Sequence, residues 1–417
     1  MKKFFAMFMT AVMLMACLAG CGGSSEQPAA NNTPAPAAND TPAPAANTDA
    51  PAEGGTINVA FIGNLTGDYA MYGVPVHNTV VMYFEQLNAA GGVNGKTINL
   101  ISYDDKADGT ESVNAFNLAM EQDISAVFGS VLTGATIALA DATYDENVPQ
   151  ITASATNPGV TLLDPDAGVE GGVRENVFRA CFLDPFQGEK MAEYAAAAGA
   201  KNVAMFYEMG SDYSEAIVTG FESKAGEYGL TVVDKEAFAT GDKDYKAQMT
   251  NIAAANPDMV FMPIYYGEAG LAITALRAAG CDAPVVGGDG FGSVKDYASA
   301  EDLEGTVYFS GYAPGTESVA QFEADYEAKY GEAVPNMFAP LAWDACLIMT
   351  EGLKAAEAAG LEPGTDEYRQ AVIDGMDAVN GLEGITGSYV FNESNDPVKS
   401  VAVIKVEGGA EVFDSFF

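Results

Sequence analysis

Histidine and tryptophan are nearly absent from this chain: each occurs once in 417 residues, as His77 and Trp343. Basic residues are scarce too, with 19 Lys and Arg against 58 Asp and Glu and a formal charge of −39. Nucleic-acid recognition rests on basic side chains neutralising phosphates, so no nucleic-acid partner is expected. Catalysis by proton transfer at neutral pH uses histidine most often. Here the single histidine lies inside a helical pattern and reads as a surface or packing residue. No Gly-x-Ser-x-Gly, P-loop or Gly-x-Gly-x-x-Gly follows a strand either, so an enzyme is not expected. The five cysteines, at 17, 21, 181, 281 and 346, are too widely spaced for a metal site or a disulfide framework. No metal or cofactor is therefore expected. Spacing leaves open whether Cys181 and Cys281 pair, while Cys346 sits in an apolar helical pattern and reads as a small buried hydrophobe. Internal apolar runs all fall short of the roughly 20 residues a membrane span needs.

The one strong apolar run opens the chain. Met1-Lys2-Lys3 is a short positive region, Phe4 to Leu18 is apolar, and Ala19-Gly20 are small residues before Cys21. This order predicts a secretory signal peptide over 1–20. Loss of Lys2 and Lys3 with it takes the charge from −39 to −41. Leu18-Ala19-Gly20-Cys21 resembles the lipobox of bacterial lipoproteins, which implies that Cys21 becomes a lipid-bearing N-terminus. Acyl chains contribute about 0.8 kcal/mol per buried CH₂, so several on one residue anchor a protein stably. Residues 21–55 then turn to Ala, Pro, Asn, Thr and Gly, with TPAPAAND at 33–40 nearly repeated as TPAPAANT at 41–48. Such a segment buries too little to offset its ordering entropy and is expected to be a disordered tether. The excess of acid is expected on a solvated surface.

From residue 56 the pattern is that of a folded α/β protein. Apolar runs and helical periodicity alternate: a strand ending in Gly63-Asn64, a helix from about Pro75 to Ala90, a strand from Lys96 to Tyr103, a helix around 111–122. The spacing is that of βαβ units and a parallel sheet. The alternation restarts after Phe178, with short strands expected at 202–207, 230–233, 259–264 and 283–287. A mostly helical stretch follows over 319–379, and strands near 388–391 and 401–406 close the chain. The stretch from Gly129 to Pro158 carries the strongest functional signal. A strand (126–129), a helix (about 134–144) and a second strand (150–153) place Thr133, Ser154 and Thr156 at strand ends, where ligands of open α/β sheets bind. A helix N-terminus there suits a carboxylate. The same threonines could equally cap the turns that follow them.

Specific stretches extend that reading. LTGDYAMYG (65–73), LNAAGGVNGKTINLISYDD (87–105), TASATNPGVT (152–161), VFRACFLDPFQG (177–188) and GGDG (287–290) resemble the branched-chain amino-acid-binding proteins of the leucine/isoleucine/valine-binding group, substrate-binding subunits of ABC importers. The resemblance implies a type I periplasmic-binding-protein fold: two doubly wound α/β lobes, a three-strand hinge and a ligand cleft. Lobe 1 is expected over 56–180 plus 308–385, and lobe 2 over 181–307 plus 386–417. The hinge crossings fall near 178–184, 305–312 and 385–388.

The resemblance also implies roles. Thr133 offers its hydroxyl to the ligand carboxylate, Ser154 its carbonyl to the ammonium, and Thr156 contacts both ends. Tyr72 is an aromatic wall on the first lobe, Tyr213 and Tyr265 close from the second, and Asp289 pairs with the ammonium. Tyr69 matches no family position and is a further wall candidate. The implied ligand is an amino acid, branched-chain or similarly apolar. The implied partners are ABC permease subunits and, through Cys21, the outer face of a membrane; a monomer is expected. The same fold also serves amide receptors and sensors that feed a separate signalling protein. Two departures stand out. Asp289 replaces the family's Glu, and Lys106 and Leu132 occupy the positions of a disulfide, so packing alone is expected to hold that turn. Asp104, Asp105 and Asp108 lack calcium-loop spacing and read as a strand-end turn.

Overall fold

A computed structural model describes residues 54–417. The expected signal peptide, Cys21 and nearly all of the tether lie outside the described residues. Among these, no helix is long and apolar enough to cross a membrane.

The chain opens with β1 (Thr56–Gly63), α1 (Ala70–Ala89), β2 (Thr97–Asp104), α2 (Gly109–Met120), β3 (Ala126–Gly129), α3 (Thr133–Asp145), β4 (Gln150–Thr152) and β5 (Val177–Arg179). Their strands form a parallel sheet in the order β2-β1-β3-β4-β5. The second set is α4 (Asp184–Ala197), β6 (Asn202–Met209), α5 (Asp212–Ala225), β7 (Thr231–Ala239), α6 (Lys246–Ala254), β8 (Met259–Met262), α7 (Tyr266–Ala278), β9 (Val285–Gly287), α8 (Ala300–Leu303) and β10 (Val307–Ser310). After α9 (Ala320–Tyr330), α10 (Phe338–Ala358), α11 (Asp366–Asp377) and a hairpin of β11 (Asn380–Gly384) and β12 (Gly387–Val390), the chain ends in β13 (Ala402–Glu407) and β14 (Ala410–Phe416). The second sheet runs β14-β13-β10-β9-β8-β6-β7, parallel except for β13 and β14.

Short apolar strands such as β3 and β8 are buried along their whole length, as helices on both faces require. The edge strand β7 instead alternates exposed and half-buried residues. Its charged Asp234-Lys235-Glu236 hid its length from the sequence, which showed only residues 230–233. Helix α1 begins at Ala70, not at Pro75 where the helical pattern suggested. Proline inside a helix strands the carbonyl four residues back. Here that carbonyl, on Met71, accepts Asn336 Nδ2 at 2.8 Å, and the added first turn carries Tyr72. Helices α9 and α10 pack onto α1, with Trp343 edge-on to Tyr83 at 4.9 Å and Phe322 at 5.7 Å.

Two expected lobe boundaries shift. The boundary at 307/308 falls inside β10, all of which pairs in the second sheet, so the crossing follows Ser310. Residues 386–396, expected in the second lobe, dock on β5 of the first. Phe391 stacks edge-on with Phe178 at 5.4 Å, Asn395 Nδ2 donates to Val177 O at 3.2 Å, and Asp396 pairs with the buried Arg179 at 2.7 Å. A buried guanidinium requires an anion, and this segment supplies it. At the hinge, the buried Asp344 carboxylate accepts Ile385 N (2.7 Å), Thr386 N (2.9 Å) and Thr386 Oγ1 (2.6 Å). Lys399 Nζ donates to Thr386 O and Tyr389 Oη beside it, its pKa lowered by burial to about 8.

The thiols of Cys181, Cys281 and Cys346 are all buried and free, so Cys181 and Cys281 do not pair. His77 is half-buried, 2.8 Å from Ser102 Oγ, and burial lowers its pKa to about 4. It is a neutral packing residue at pH 7.

Candidate ligand-binding site

The carboxyl ends of strands from both sheets converge on one small cavity. From the first lobe, β3 delivers Val131, Leu132 and Thr133, and β4 delivers Ser154; from the second, β6 leads to Tyr213, β8 to Tyr265 and β9 to Asp289 and Gly290. Tyr72 of α1 and Phe338 of α10 complete the lining. In both sheets the chain reverses direction about its first strand, β1 or β6, which is where open α/β sheets place ligands.

Gly129 makes the turn out of β3. Its φ of +138° and a Cβ that would lie 1.9 Å from Ile62 O leave no room for another residue. The next residues open α3, whose N-cap is Leu132, a residue without a capping side chain. Thr133 therefore caps nothing and the helix keeps its free N–H groups beside the cavity. Thr156 caps nothing either: the following turn is capped by Asn157, which accepts Gly159 N at 2.7 Å. The capping alternative for both threonines is thus not what the fold uses.

The turn after β2 is not held by packing alone, as the missing disulfide suggested. Asp104 accepts Leu65 N (2.9 Å) and Lys106 N (3.0 Å), and Thr66 Oγ1 also donates to it. Asp105 accepts Ala107 N (2.9 Å) and Ser112 Oγ (2.8 Å), and Ser130 Oγ donates to the same carboxylate. These carboxylates tie the ends of β1, β2 and β3 together, while Asp108 caps α2 through Glu111 N.

Across the cleft, Asp289 is fully buried. Its Oδ1 accepts Tyr213 Oη (2.9 Å) and Gln187 Nε2 (3.0 Å), while the same two residues bind the backbone: Gln187 Oε1 takes Asp289 N and Tyr213 Oη takes Gly290 N, each at 2.9 Å. Burial raises its pKa to about 6, against the lowering effect of those donors. Tyr213 stacks on Tyr265 at 4.8 Å. Burial, followed by Asp289 for Tyr213 and Asp184 for Tyr265, pushes both phenols well above their usual range. Tyr72 is raised likewise by burial, then by Tyr266. All three meet a ligand as neutral hydroxyls.

The lobes touch through this aromatic set. Tyr72 Oη donates to Gly290 O and accepts Tyr266 N, and its ring meets Tyr266 at 4.7 Å and Phe338 at 4.9 Å. Asn157 Nδ2 reaches Asp212 O at 2.7 Å. The cavity is left with about 10 Å³, room for about one water. A ligand of amino-acid size therefore enters only when the lobes part. A larger cavity of about 390 Å³ lies at the opposite, amino-terminal ends of β8, β9 and β10, lined by Tyr194, Val286, Val307 and Lys405. No strand end or helix N-terminus of the first lobe reaches it, so the small cavity is the better ligand candidate.

Of the residues singled out in the sequence, Tyr72, Thr133, Ser154, Tyr213, Tyr265 and Asp289 line the cavity. Thr156 is buried behind its wall, and Ser154 Oγ donates to Val131 O at 2.7 Å, leaving its carbonyl as the group to offer. Tyr69 stands outside the lining, edge-on to Tyr265 at 5.2 Å. The sequence reading missed Phe338, which no local motif ties to the cleft, and Gln187. The latter lies in the VFRACFLDPFQG stretch, which carries the resemblance but assigns Gln187 no role in the site.

Residues 56–410 match the sequence model of the periplasmic binding proteins. The chain belongs to the periplasmic binding protein family. Among the family's curated members, a Leu/Ile/Val-binding protein homolog from Brucella melitensis is 28% identical over 342 residues, covering 82% of this chain and 88% of its own. A leucine-, isoleucine-, valine-, threonine- and alanine-binding protein from Pseudomonas aeruginosa is also 28% identical, over 82% of this chain and 87% of its own. Among solved structures, the leucine-binding protein LivK of Thermotoga maritima superposes with a TM-score of 0.77 at 27% identity, covering 87% of this chain and 98% of that one. LivJ of Streptococcus pneumoniae, in complex with isoleucine, gives 0.76 at 28% identity over the same shares. The type I periplasmic-binding-protein fold expected from the sequence is thereby shown, and the family is one of binding proteins rather than enzymes.

Proposed function

We propose that this protein captures a free amino acid, branched-chain or similarly apolar, by closing its two lobes over it, and presents it to the permease of an ABC importer. The observation that carries the reading is the polarity of the cavity. Open N–H groups and Thr133 lie on one side, the buried Asp289 on the other, and aromatic rings stand between them. A zwitterion leaving water needs both charges met, or desolvation costs several kcal/mol. A helix N-terminus suits the carboxylate, and a carboxylate with carbonyls suits the ammonium. The aromatic and aliphatic walls of Tyr72, Phe338, Val131 and Leu132 accept an apolar side chain. Each methylene discriminates there by only about 1–3 kcal/mol, which favours a group of related ligands over a single one.

Calorimetric titration of the purified full chain with the twenty amino acids tests the reading. Binding of leucine, isoleucine or valine is expected; no heat from any of the twenty would sink it. In the same assay Thr156→Ala costs more affinity than Thr133→Ala. By the family resemblance Thr156 contacts both charged ends of the ligand, whereas Thr133 contacts the carboxylate alone, beside the free N–H groups of α3. Equal or reversed losses would refute that order.

The family is extracytoplasmic, and the lipobox-like Leu18-Ala19-Gly20-Cys21 supports a lipid-anchored form of this member. Cys21→Ser then moves the protein from the membrane fraction to the soluble one. Retention in the membrane fraction would overturn the anchor.

A further inference from the structure

The mouth of the cleft carries a second set of contacts between the lobes. On the first-lobe side stand Asp68 and Tyr69, in the turn between β1 and α1. Tyr266 Oη donates to Asp68 O at 2.6 Å, Lys243 Nζ stands 3.8 Å from Asp68 Oδ2, and Tyr69 Oη donates to Glu268 Oε1 at 3.5 Å. Tyr266, Lys243 and Glu268 belong to the second lobe. None of these residues lines the ligand cavity.

Glu268 is the member whose needs are not met. The residue is 5% exposed, yet both of its donors, Tyr69 Oη and Lys243 Nζ at 3.3 Å, reach the same oxygen, and Oε2 has no partner. Its place in the first turn of α7 puts it at the positive end of the helix dipole but supplies no hydrogen bond to Oε2. A second acid, Glu208 at the end of β6, is 6% exposed. Burial raises its pKa against the Thr240 hydroxyl that donates to it; Glu268 raises it further and Lys243 lowers it. Lys243 is thus the cation that pairs with one buried acid and acts on the other.

The loop that carries Lys243, between β7 and α6, is fixed on both sides of it. Asp242 accepts Ala239 N at 2.9 Å. Tyr245, 1% exposed, donates to Asp242 O at 2.5 Å, and its ring packs on Phe206 at 5.1 Å and Phe238 at 5.0 Å. The Lys243 stem itself stays about half exposed.

Opening and closing treat these groups differently. Tyr69 and Asp68 leave with the first lobe, and water reaches Glu268 in their place. Closing expels that water and leaves Lys243 as the charge partner of a buried carboxylate. Removing one partner of such a pair is costly because the other charge stays buried, whereas a carboxylate in water needs no partner. The cost of losing Lys243 therefore falls on the closed state.

We propose that Lys243 is the latch of the closed protein: by neutralising Glu268 and reaching Asp68 across the mouth, it sets how long the lobes stay shut on a ligand. The inference rests on the closure and amino-acid reading above and adds a determinant of residence time that touches no ligand. Lys243 acts through Glu268 and is a positioning residue.

The test follows L-leucine, L-isoleucine and L-valine by stopped-flow on the purified full chain, its Lys243→Met and Lys243→Arg variants, and the double variant Lys243→Met/Glu268→Gln. Lys243→Met is expected to raise the dissociation rate about 10- to 100-fold while association changes less than about threefold. Lys243→Arg keeps the charge and stays near wild type. Glu268→Gln keeps an acceptor for Tyr69 but removes the stranded charge, so the double variant recovers most of the loss. The denaturant midpoint of the ligand-free protein is the same for Lys243→Met as for wild type. A shifted midpoint would reduce Lys243 to a structural residue. Unchanged dissociation, a loss carried by association, or a double variant no better than the single would also overturn the latch, with the amino-acid reading left standing. Wild-type protein that binds none of the three amino acids would instead overturn that reading, and the latch with it.

Discussion

Arg179→Met is expected to destabilise the protein by about 3–5 kcal/mol, read from the midpoint of denaturant unfolding. Arg179 has no exposed surface, and its guanidinium holds four partners. Nε lies 2.7 Å from Asp396 Oδ1, Nη1 donates to Ala155 O (2.8 Å) and Asn157 O (3.0 Å), and Nη2 donates to Thr161 Oγ1 (3.0 Å). Methionine fills much of the space but leaves Asp396, 3% exposed, as a buried charge without its cation, held only by Thr161 Oγ1 at 3.2 Å. The stranded charge is the larger part of that cost. The double variant Arg179→Met/Asp396→Leu should therefore recover a good share of the loss. A single-variant loss below about 1 kcal/mol, or a double variant no better than the single, would refute the account. Ligand affinity should fall too, because Ala155 and Asn157 flank Thr156.

The second large effect belongs to Asp289. Asp289→Asn is expected to weaken amino-acid binding about 10- to 100-fold, since it removes the charge from a hydrogen-bonded acceptor. It should also flatten the pH dependence of binding. With a pKa raised to about 6 by burial, Asp289 is ionised at pH 7 and mostly protonated at pH 5. One unit below the pKa only about a tenth of the groups are ionised, so wild-type affinity falls roughly tenfold on going to pH 5. The sign for stability is the opposite. A carboxyl whose pKa is higher folded than unfolded binds its proton more tightly in the native state. Its contribution is most favourable below the unfolded value of 3.8 and is lost as pH rises through about 6. Affinity that is flat from pH 5 to 7 in the wild type would falsify the role given to Asp289.

Much of the site was legible because its residues sit at strand ends in short motifs. Thr133, Ser154 and Thr156 follow β3 and β4, and Asp289 follows β9, within stretches whose period and punctuation mark them locally. Helix α1 was harder, because Pro75 reads as a start signal; only Asn336, more than 250 residues away, makes a proline tolerable inside that helix. Residues 386–396 were misassigned for a similar reason. What holds them to the first lobe is Asp396 on Arg179 and Phe391 on Phe178, contacts that no periodicity encodes. Tyr69 was placed near the wall by its neighbours in sequence. On the first turn of α1, however, it is Tyr72 that points into the cavity, and Tyr69 packs against Tyr265.

Sequence alone determined the class of this protein: an acidic, histidine-poor α/β chain with its polar signals at strand ends. Those properties are local, set by composition, side-chain periodicity and the few residues that terminate strands. Only the tertiary structure decided how the two sheets meet, which of the tyrosines form the wall, and that Gln187 links the buried Asp184 and Asp289. Burial and hydrogen-bond satisfaction are sums over neighbours brought together from both lobes, and the chain does not carry them in any one stretch.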